Sequence, residues 1–215
     1  MSAVAPQSER RNAIAQPALW SMQEPIALKL APNRVDLGDE AWVDTMTGFV
    51  RGGDSLLGTL VNTVPLSTGR RPMYDNMVDV PRLSGHLPTA VVGSAIPVIS
   101  EIATMLGDRY QKAFTRVGIN LYRNERDSVA WHADKIGWVM HQPVIGLVSL
   151  GAARPFLLRP IGGGKSRKFV LGSGDLLVMG GTCQHRFEHA VPKLTHPTAP
   201  RLSITFRHES PERSP

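Results

Sequence analysis

The segment Arg201-Leu202-Ser203-Ile204-Thr205-Phe206-Arg207 constrains the fold more than any other stretch of this 215-residue chain. Its apolar and polar residues alternate without a break. On an extended strand, residues two apart point the same way, so Leu202, Ile204 and Phe206 share one face and Arg201, Ser203, Thr205 and Arg207 the other. The first face demands a core. The second carries two cations whose Cα atoms lie roughly 20 Å apart, at about 3.3 Å per residue. Two arrangements satisfy this pattern. One is an edge strand with two solvated arginines, which the segment taken alone favours. The other turns both arginines inward, toward opposite ends of a short dicarboxylate.

The rest of the chain supplies partners for such a strand. From about residue 115 it breaks into short strand-like runs. Residues 117–122 alternate, and Val144-Ile145-Gly146-Leu147-Val148-Ser149-Leu150 is an apolar run suited to a strand buried on both faces. Residues 155–159 and 166–170 flank Gly162-Gly163-Gly164, a hairpin turn, and Gly174-Asp175 precedes a strand from Leu176 to Met179. Upstream, Asp54 or Ser55 caps a helix with Leu56, Leu57, Leu60 and Val61 at helical spacing, ended by Pro65. A second helix covers 98–106 and closes at Gly107. A strand is expected over 26–30 and a short helix around 40–42. Residues 1–24 read as a poorly ordered arm and 25–215 as a single domain. Helices first, then six or more strands, predict an α+β protein whose β portion closes into a sandwich or jelly-roll. The 20 glycines and 17 prolines suit the many turns this needs.

Composition narrows the function. Hydrophobic residues at 42% and charged residues at 20% are those of a soluble globular protein. Apolar runs are short, and the charged stretch Ser8-Glu9-Arg10-Arg11-Asn12 leads into no apolar signal core, so neither a membrane span nor a secretory leader is expected. One cysteine, Cys183, rules out a disulfide framework and a multi-cysteine zinc module, and predicts a reducing, cytoplasmic location. The net charge of +6 gathers at 69–72 and 165–168 and points to an anionic partner, nucleic acid being the commonest. Gly162-Gly163-Gly164-Lys165-Ser166 has the wrong spacing for a phosphate loop and joins two strands, so no nucleotide is expected there.

Metal chemistry enters with His132-Ala133-Asp134. In an extended segment these two side chains project to one side and can grip one ion. His185, His189, His196 and His208 are each available as a third ligand. Two histidines and a carboxylate on one face leave open positions on an iron(II) ion for a small acid and oxygen. A closed zinc site needs four protein ligands, and one cysteine serves it poorly.

Taken together, Asn120/Tyr122, His132/Asp134, His189 and the Arg201–Arg207 strand resemble the AlkB family of iron(II)- and 2-oxoglutarate-dependent dioxygenases over residues 117–208. The family pattern is Asn-x-Tyr, His-x-Asp, a distal His, then Arg-x-Asn-x-Thr-Phe-Arg. The resemblance implies a double-stranded β-helix (jelly-roll) core over about 115–208, flanking N-terminal helices, and a nucleotide-recognition lid over about 65–90. It implies His132, Asp134 and His189 as iron ligands, Arg201 on the distal carboxylate of 2-oxoglutarate and Arg207 on the end bound to iron. Asn120 and Tyr122 become hydrogen-bond donors to the cosubstrate, and Ser203 stands where the family has its asparagine.

For substrate the resemblance points to Tyr74, Arg70 and Arg71 in the lid region and to Trp131 beside the first ligand, although ordinary core packing accounts for Trp131 slightly better. Arg159 matches a recurring family arginine. Lys135 and Ile136 replace the acid that several relatives carry after the aspartate. The implied activity uses Fe(II), 2-oxoglutarate and O2 to demethylate 1-methyladenine- or 3-methylcytosine-type bases in single- or double-stranded DNA, or RNA, releasing succinate and formaldehyde. The target base must be unpaired or extruded. The expected protein is a monomer. A hydroxylase of a protein or small molecule, and a basic binding module with a structural His-x-Asp, are the competing readings.

Overall fold

The computed structural model describes residue 26 and residues 29–73, 76–87, 96–134 and 140–208, the side chains of residues 70–79 excepted. The arm over 1–24, Tyr74, Lys135, Ile136 and the side chains of Arg70 and Arg71 lie outside the described residues.

The first third carries β1 (Asn33–Gly38), β2 (Ala41–Met46), helix α1 (Gly53–Thr63), β3 (Ser67–Met73) and β4 (Asn76–Leu87). Helix α2 (Pro97–Tyr110) leads into β5 (Arg116–Tyr122), β6 (Val129–His132), β7 (Ile145–Gly151), β8 (Arg154–Pro160) and β9 (Arg167–Leu171). The chain continues with β10 (Leu176–Gly180), a single helical turn α3 (Cys183–Arg186), β11 (Phe187–Val191) and β12 (Arg201–Arg207). The strands form a major sheet in the order β1-β2-β10-β7-β12-β5-β4-β3 and a minor sheet in the order β6-β11-β8-β9, and every pairing is antiparallel.

Two apolar cores lie on the two sides of the major sheet. On one side, Leu56 and Leu60 of α1 and Ile99, Ile102 and Leu106 of α2 pack with Val148, Leu150, Leu202, Ile204 and Phe206. On the other, Val43, Ile145, Leu147, Leu177 and Met179 meet Phe156, Leu158 and Val191 of the minor sheet. This is the jelly-roll with flanking helices, and β7, buried along Ile145–Leu150, shows why its sequence does not alternate. Strand β12 sits between β5 and β7 in the middle of the major sheet, so its polar face looks into the sandwich and the solvated-edge arrangement is excluded.

Several expectations are corrected. Residues 41–46 are strand, not helix, because they pair on both sides, with β1 and β10, and Asp44 among them is buried. Its carboxylate accepts two hydrogen bonds from Arg34 (2.7 and 2.8 Å) and one from the Tyr110 hydroxyl (2.9 Å), which anchors α2 to β2. Gly107 does not end α2; the helix runs one turn further and stops at Gln111, in the left-handed region at φ 53°. Helix α1 is preceded by Gly52, not capped by Asp54 or Ser55. Ile26 makes an isolated bridge to Val50, while residues 27 and 28 lie outside the described set. The helices do not precede the strands but are interleaved with them, since β1–β4 extend the major sheet at both edges.

Helix α2 reaches the sheet closely because Gly146 lies under it: a Cβ at that position would stand 2.8 Å from Leu106 Cδ1. Gly146→Val is therefore expected to lift α2 and destabilise the protein by about 1–3 kcal/mol, measured by chemical denaturation, with no loss of β content in circular dichroism.

Candidate metal centre and active site

The antiparallel register of β6 and β11 sets His132 directly opposite His189, and so on the same face of the minor sheet. Their ring centroids are 4.2 Å apart. Asp134 lies two residues beyond His132, and its backbone N–H donates to Gln184 Oε1 of α3 (2.9 Å), which turns the chain back toward the histidines. The result is a cluster in which one ligand atom from each of His132, Asp134 and His189 lies within 4.8 Å of the others. His185, His196 and His208 stand outside it: His185 Nε2 faces the carbonyls of Met140 and His141, and His208 Nε2 accepts from the Val144 N–H. Cys183 is also excluded. It is fully buried, and burial raises its thiol to about 12, so it supplies no thiolate near neutral pH.

The donors suit a divalent metal. His132 Nδ1 contacts the Ala130 carbonyl at 2.9 Å, which leaves Nε2 for a ligand. His189 is buried, and its Nδ1 has no hydrogen-bond partner among the described residues. Burial first, then the neighbouring His132, depress its pKa to about 3, so the ring is neutral and able to coordinate. Burial pushes the Asp134 carboxyl up, but Arg207 and the two histidines more than offset this and hold it below the usual range. Phe156 stacks on His189 at 5.2 Å and shields it.

The major sheet forms the opposite wall. Asn120, Tyr122, Ser203, Thr205 and Arg207 line the same cavity as the three ligands. Arg207 Nη2 donates to Asp134 Oδ1 (2.9 Å) and Nη1 to Thr205 Oγ1 (3.0 Å); that hydroxyl donates in turn to the Gly118 carbonyl (3.0 Å). Gly118 has to be small here, because a Cβ would stand 2.9 Å from Thr205 Oγ1 and 3.4 Å from Arg207 Nη1. Arg201 is 1% exposed. Its Nε donates to Ser149 Oγ (3.0 Å) and its guanidinium lies 5.1 Å from the Tyr122 ring centroid, while Nη1 is buried without a partner among the described residues. Burial lowers its pKa to about 10, which leaves it charged at neutral pH. A buried cation with an unused N–H fits an incoming carboxylate. Asn120 Oδ1 accepts from Arg82 Nε and Ser84 Oγ, both at 2.9 Å, so its amide nitrogen is the group left to donate. Two imidazoles, one carboxylate and a buried arginine thus fit an iron(II) ion and a dicarboxylate.

Two sequence candidates lie elsewhere. Trp131 precedes His132 on β6, takes no part in lining the metal cavity, and faces the outside of the minor sheet. Arg159 shares that outer face: its Nε contacts Glu188 Oε1 at 2.6 Å, and its guanidinium stacks 4.0 Å from the Trp131 ring centroid. Neither reaches the ligands, because the side chains of adjacent strand residues point to opposite faces.

Sequence reasoning missed Arg154, 1% exposed, whose guanidinium donates to the carbonyls of Asn124 (2.9 Å), Asp127 and Pro192 (both 2.8 Å). It lies 5.7 Å from the Tyr122 ring centroid and ties together the chain leaving β5 and β11. The available signal was phase, since Arg154 shares its strand face with the inward Phe156 and Leu158.

Removing the arm that holds the carboxylate tests the geometry. Arg207→Leu is expected to weaken iron(II) binding in the absence of cosubstrate by about 10–100-fold, read by metal titration. Acid titration tests the burial of His189. Its folded pKa lies below the unfolded value of about 6.5, so between those values the unfolded chain binds the extra proton and stability falls as pH falls. Metal-free protein is expected to lose about 2 kcal/mol from this group between pH 7 and 5, and His189→Gln to remove that part of the pH dependence in denaturant melts.

Comparison with known proteins agrees with this construction. Residues 82–207 match the model of the 2OG-Fe(II) oxygenase superfamily. The chain is 32% identical over 186 residues to alpha-ketoglutarate-dependent dioxygenase alkB homolog 3 of Bos taurus, covering 77% of this chain and 65% of that protein. It is 30% identical over 152 residues to the DNA oxidative demethylase ALKBH2 of Arabidopsis thaliana, covering 58% of this chain and 47% of the relative. The chain thus spans less than two thirds of the length of these relatives. Among solved structures, a prolyl hydroxylase from Trichoplax adhaerens superposes with a TM-score of 0.58 at 17% identity, over 77% of this chain and 82% of the other, which shows the shared fold. With the family model covering more than half its length, the chain belongs to the 2OG-Fe(II) oxygenase superfamily.

Proposed function

We propose that this chain is an iron(II)- and 2-oxoglutarate-dependent dioxygenase that removes methyl groups from the base nitrogens of nucleic acid, of the 1-methyladenine and 3-methylcytosine type. The observation that carries the reading is one cavity holding His132, Asp134 and His189 on one wall and Ser203, Thr205 and Arg207 of β12 on the other. The nucleic-acid part is supported by similarity to relatives named as AlkB homologue and DNA oxidative demethylase, and by the net charge of +6.

His132, Asp134 and His189 would hold the iron, and the free Nη1 of Arg201 would receive the distal carboxylate of 2-oxoglutarate. Bound iron with 2-oxoglutarate and O2 supplies the oxidation, in which one oxygen atom enters succinate as carbon dioxide leaves and the other departs with the methyl carbon as formaldehyde. The chain's own work is placement. Asn120, fixed through its carbonyl, offers its amide to the cosubstrate; Arg207 keeps Asp134 ionised and aimed; Phe156 and Val191 keep water from the ligand side. The buried and single Cys183 accords with a reducing cytosol.

Purified protein with iron(II), 2-oxoglutarate and single-stranded DNA or RNA carrying 1-methyladenine or 3-methylcytosine is expected to release formaldehyde and succinate in equal amounts. His132→Ala should lower both by at least ~100-fold. Succinate formation that neither methylated polymer stimulates would assign the metal centre to another substrate.

A further inference from the structure

The outer face of the minor sheet carries a second space beside the metal cavity. A groove of about 240 Å³ runs between β4 and the β6–β11 side of that sheet, and Trp131, Pro81, Leu157, Arg82 and Lys193 are among its walls. Val129 and Val191 line both this groove and the metal cavity, so the two spaces are separated by the thickness of a side chain. Consecutive residues of β6 therefore serve the two sides: His132 faces the metal, Trp131 faces the groove. We propose that this groove holds an unmodified, unpaired base of a single-stranded nucleic acid, the neighbour of the base that enters the metal cavity. This assignment rests on the nucleic-acid reading above.

The indole is held ready for such a contact. Arg159 lies 4.0 Å from the ring centroid, and Glu188 fixes Arg159 at 2.6 Å. One face of the ring is thus committed to a cation, and the side chain also lines the groove. A ring ordered before binding loses little freedom when a base stacks on it. Stacking tolerates any base, because each presents a π face, so the subsite holds a neighbour without reading its identity.

Charge selects the occupant. Arg82 and Lys193 line the groove, no acid is among its described walls, and Glu188 on the same sheet face is already paired with Arg159. An apolar slot with an aromatic wall and cationic rims fits a base with its phosphates better than it fits a peptide. A base lodged there is out of any duplex, so the arrangement favours single strands.

The test compares a single-stranded pentamer containing one 3-methylcytosine with 3-methylcytidine monophosphate, which has no neighbour to stack. Formaldehyde release is measured for the wild type, Trp131→Phe and Trp131→Leu, with melting temperatures alongside. Trp131→Leu is expected to raise the pentamer KM about tenfold more than the mononucleotide KM, and Trp131→Phe to restore most of that discrimination. Lys193→Ala, an exposed change, is expected to lower the slope of log KM for the pentamer against log salt by about one. A Leu variant that treats the two substrates alike, or a Lys193→Ala slope equal to wild type, overturns the subsite while leaving the demethylase reading in place. A wild type inactive on both substrates overturns the demethylase reading itself.

Discussion

Arg207 and Asp134 join the two halves of the sandwich at the point where the chemistry is built. Arg207 belongs to the central strand of the major sheet, Asp134 to the segment leaving the minor sheet, and their 2.9 Å contact closes one side of the cavity. A half-buried ion pair of this kind adds little net stability, because desolvation offsets much of the attraction. Its value is geometric. The carboxylate is kept ionised and its second oxygen is left for a ligand, while Thr205 and Gly118 fix the arginine from behind. The two histidines need no such device, since strand pairing alone sets them opposite each other.

The buried cations follow a related logic. Arg154 and Arg201 flank Tyr122, and each retains one buried nitrogen without a partner among the described residues. They differ in how far their charge is answered. Arg154 spends its other donors on three backbone carbonyls and works as a brace between loops. Arg201 has the hydroxyls of Ser149 and Tyr122 for partners, and among the described residues no carboxylate answers it. Leaving a buried guanidinium undersatisfied costs stability that a bound carboxylate returns on arrival.

Much of this arrangement was legible from residue order, and for a physical reason. Period-two alternation in Arg201–Arg207 is a direct image of strand geometry, and His132, Asp134 and His189 carry the side chains that iron requires. Most of the residues that escaped act between elements. Gly118, Ser149, Arg82 and Gln184 matter only once the fold brings them beside Thr205, Arg201, Asn120 and Asp134. Asp44 and Arg154 escaped because a charged residue is ordinarily read as exposed, and both are buried against dedicated partners. Which cavity Trp131 would line was not legible, because nearness in sequence to His132 says nothing about which strand face a side chain takes.

The hydrogen bonds from Arg82 and Ser84 to Asn120 have a consequence for how this protein can change over generations. Strand β4 belongs to the hairpin expected to meet substrate, yet two of its side chains hold a residue that faces the cosubstrate cavity. Positions 82 and 84 are therefore answerable to two selective pressures at once. The stretch of β4 next to β5 is therefore less free to change than a substrate-facing role alone would leave it, because a replacement at either position also unseats Asn120.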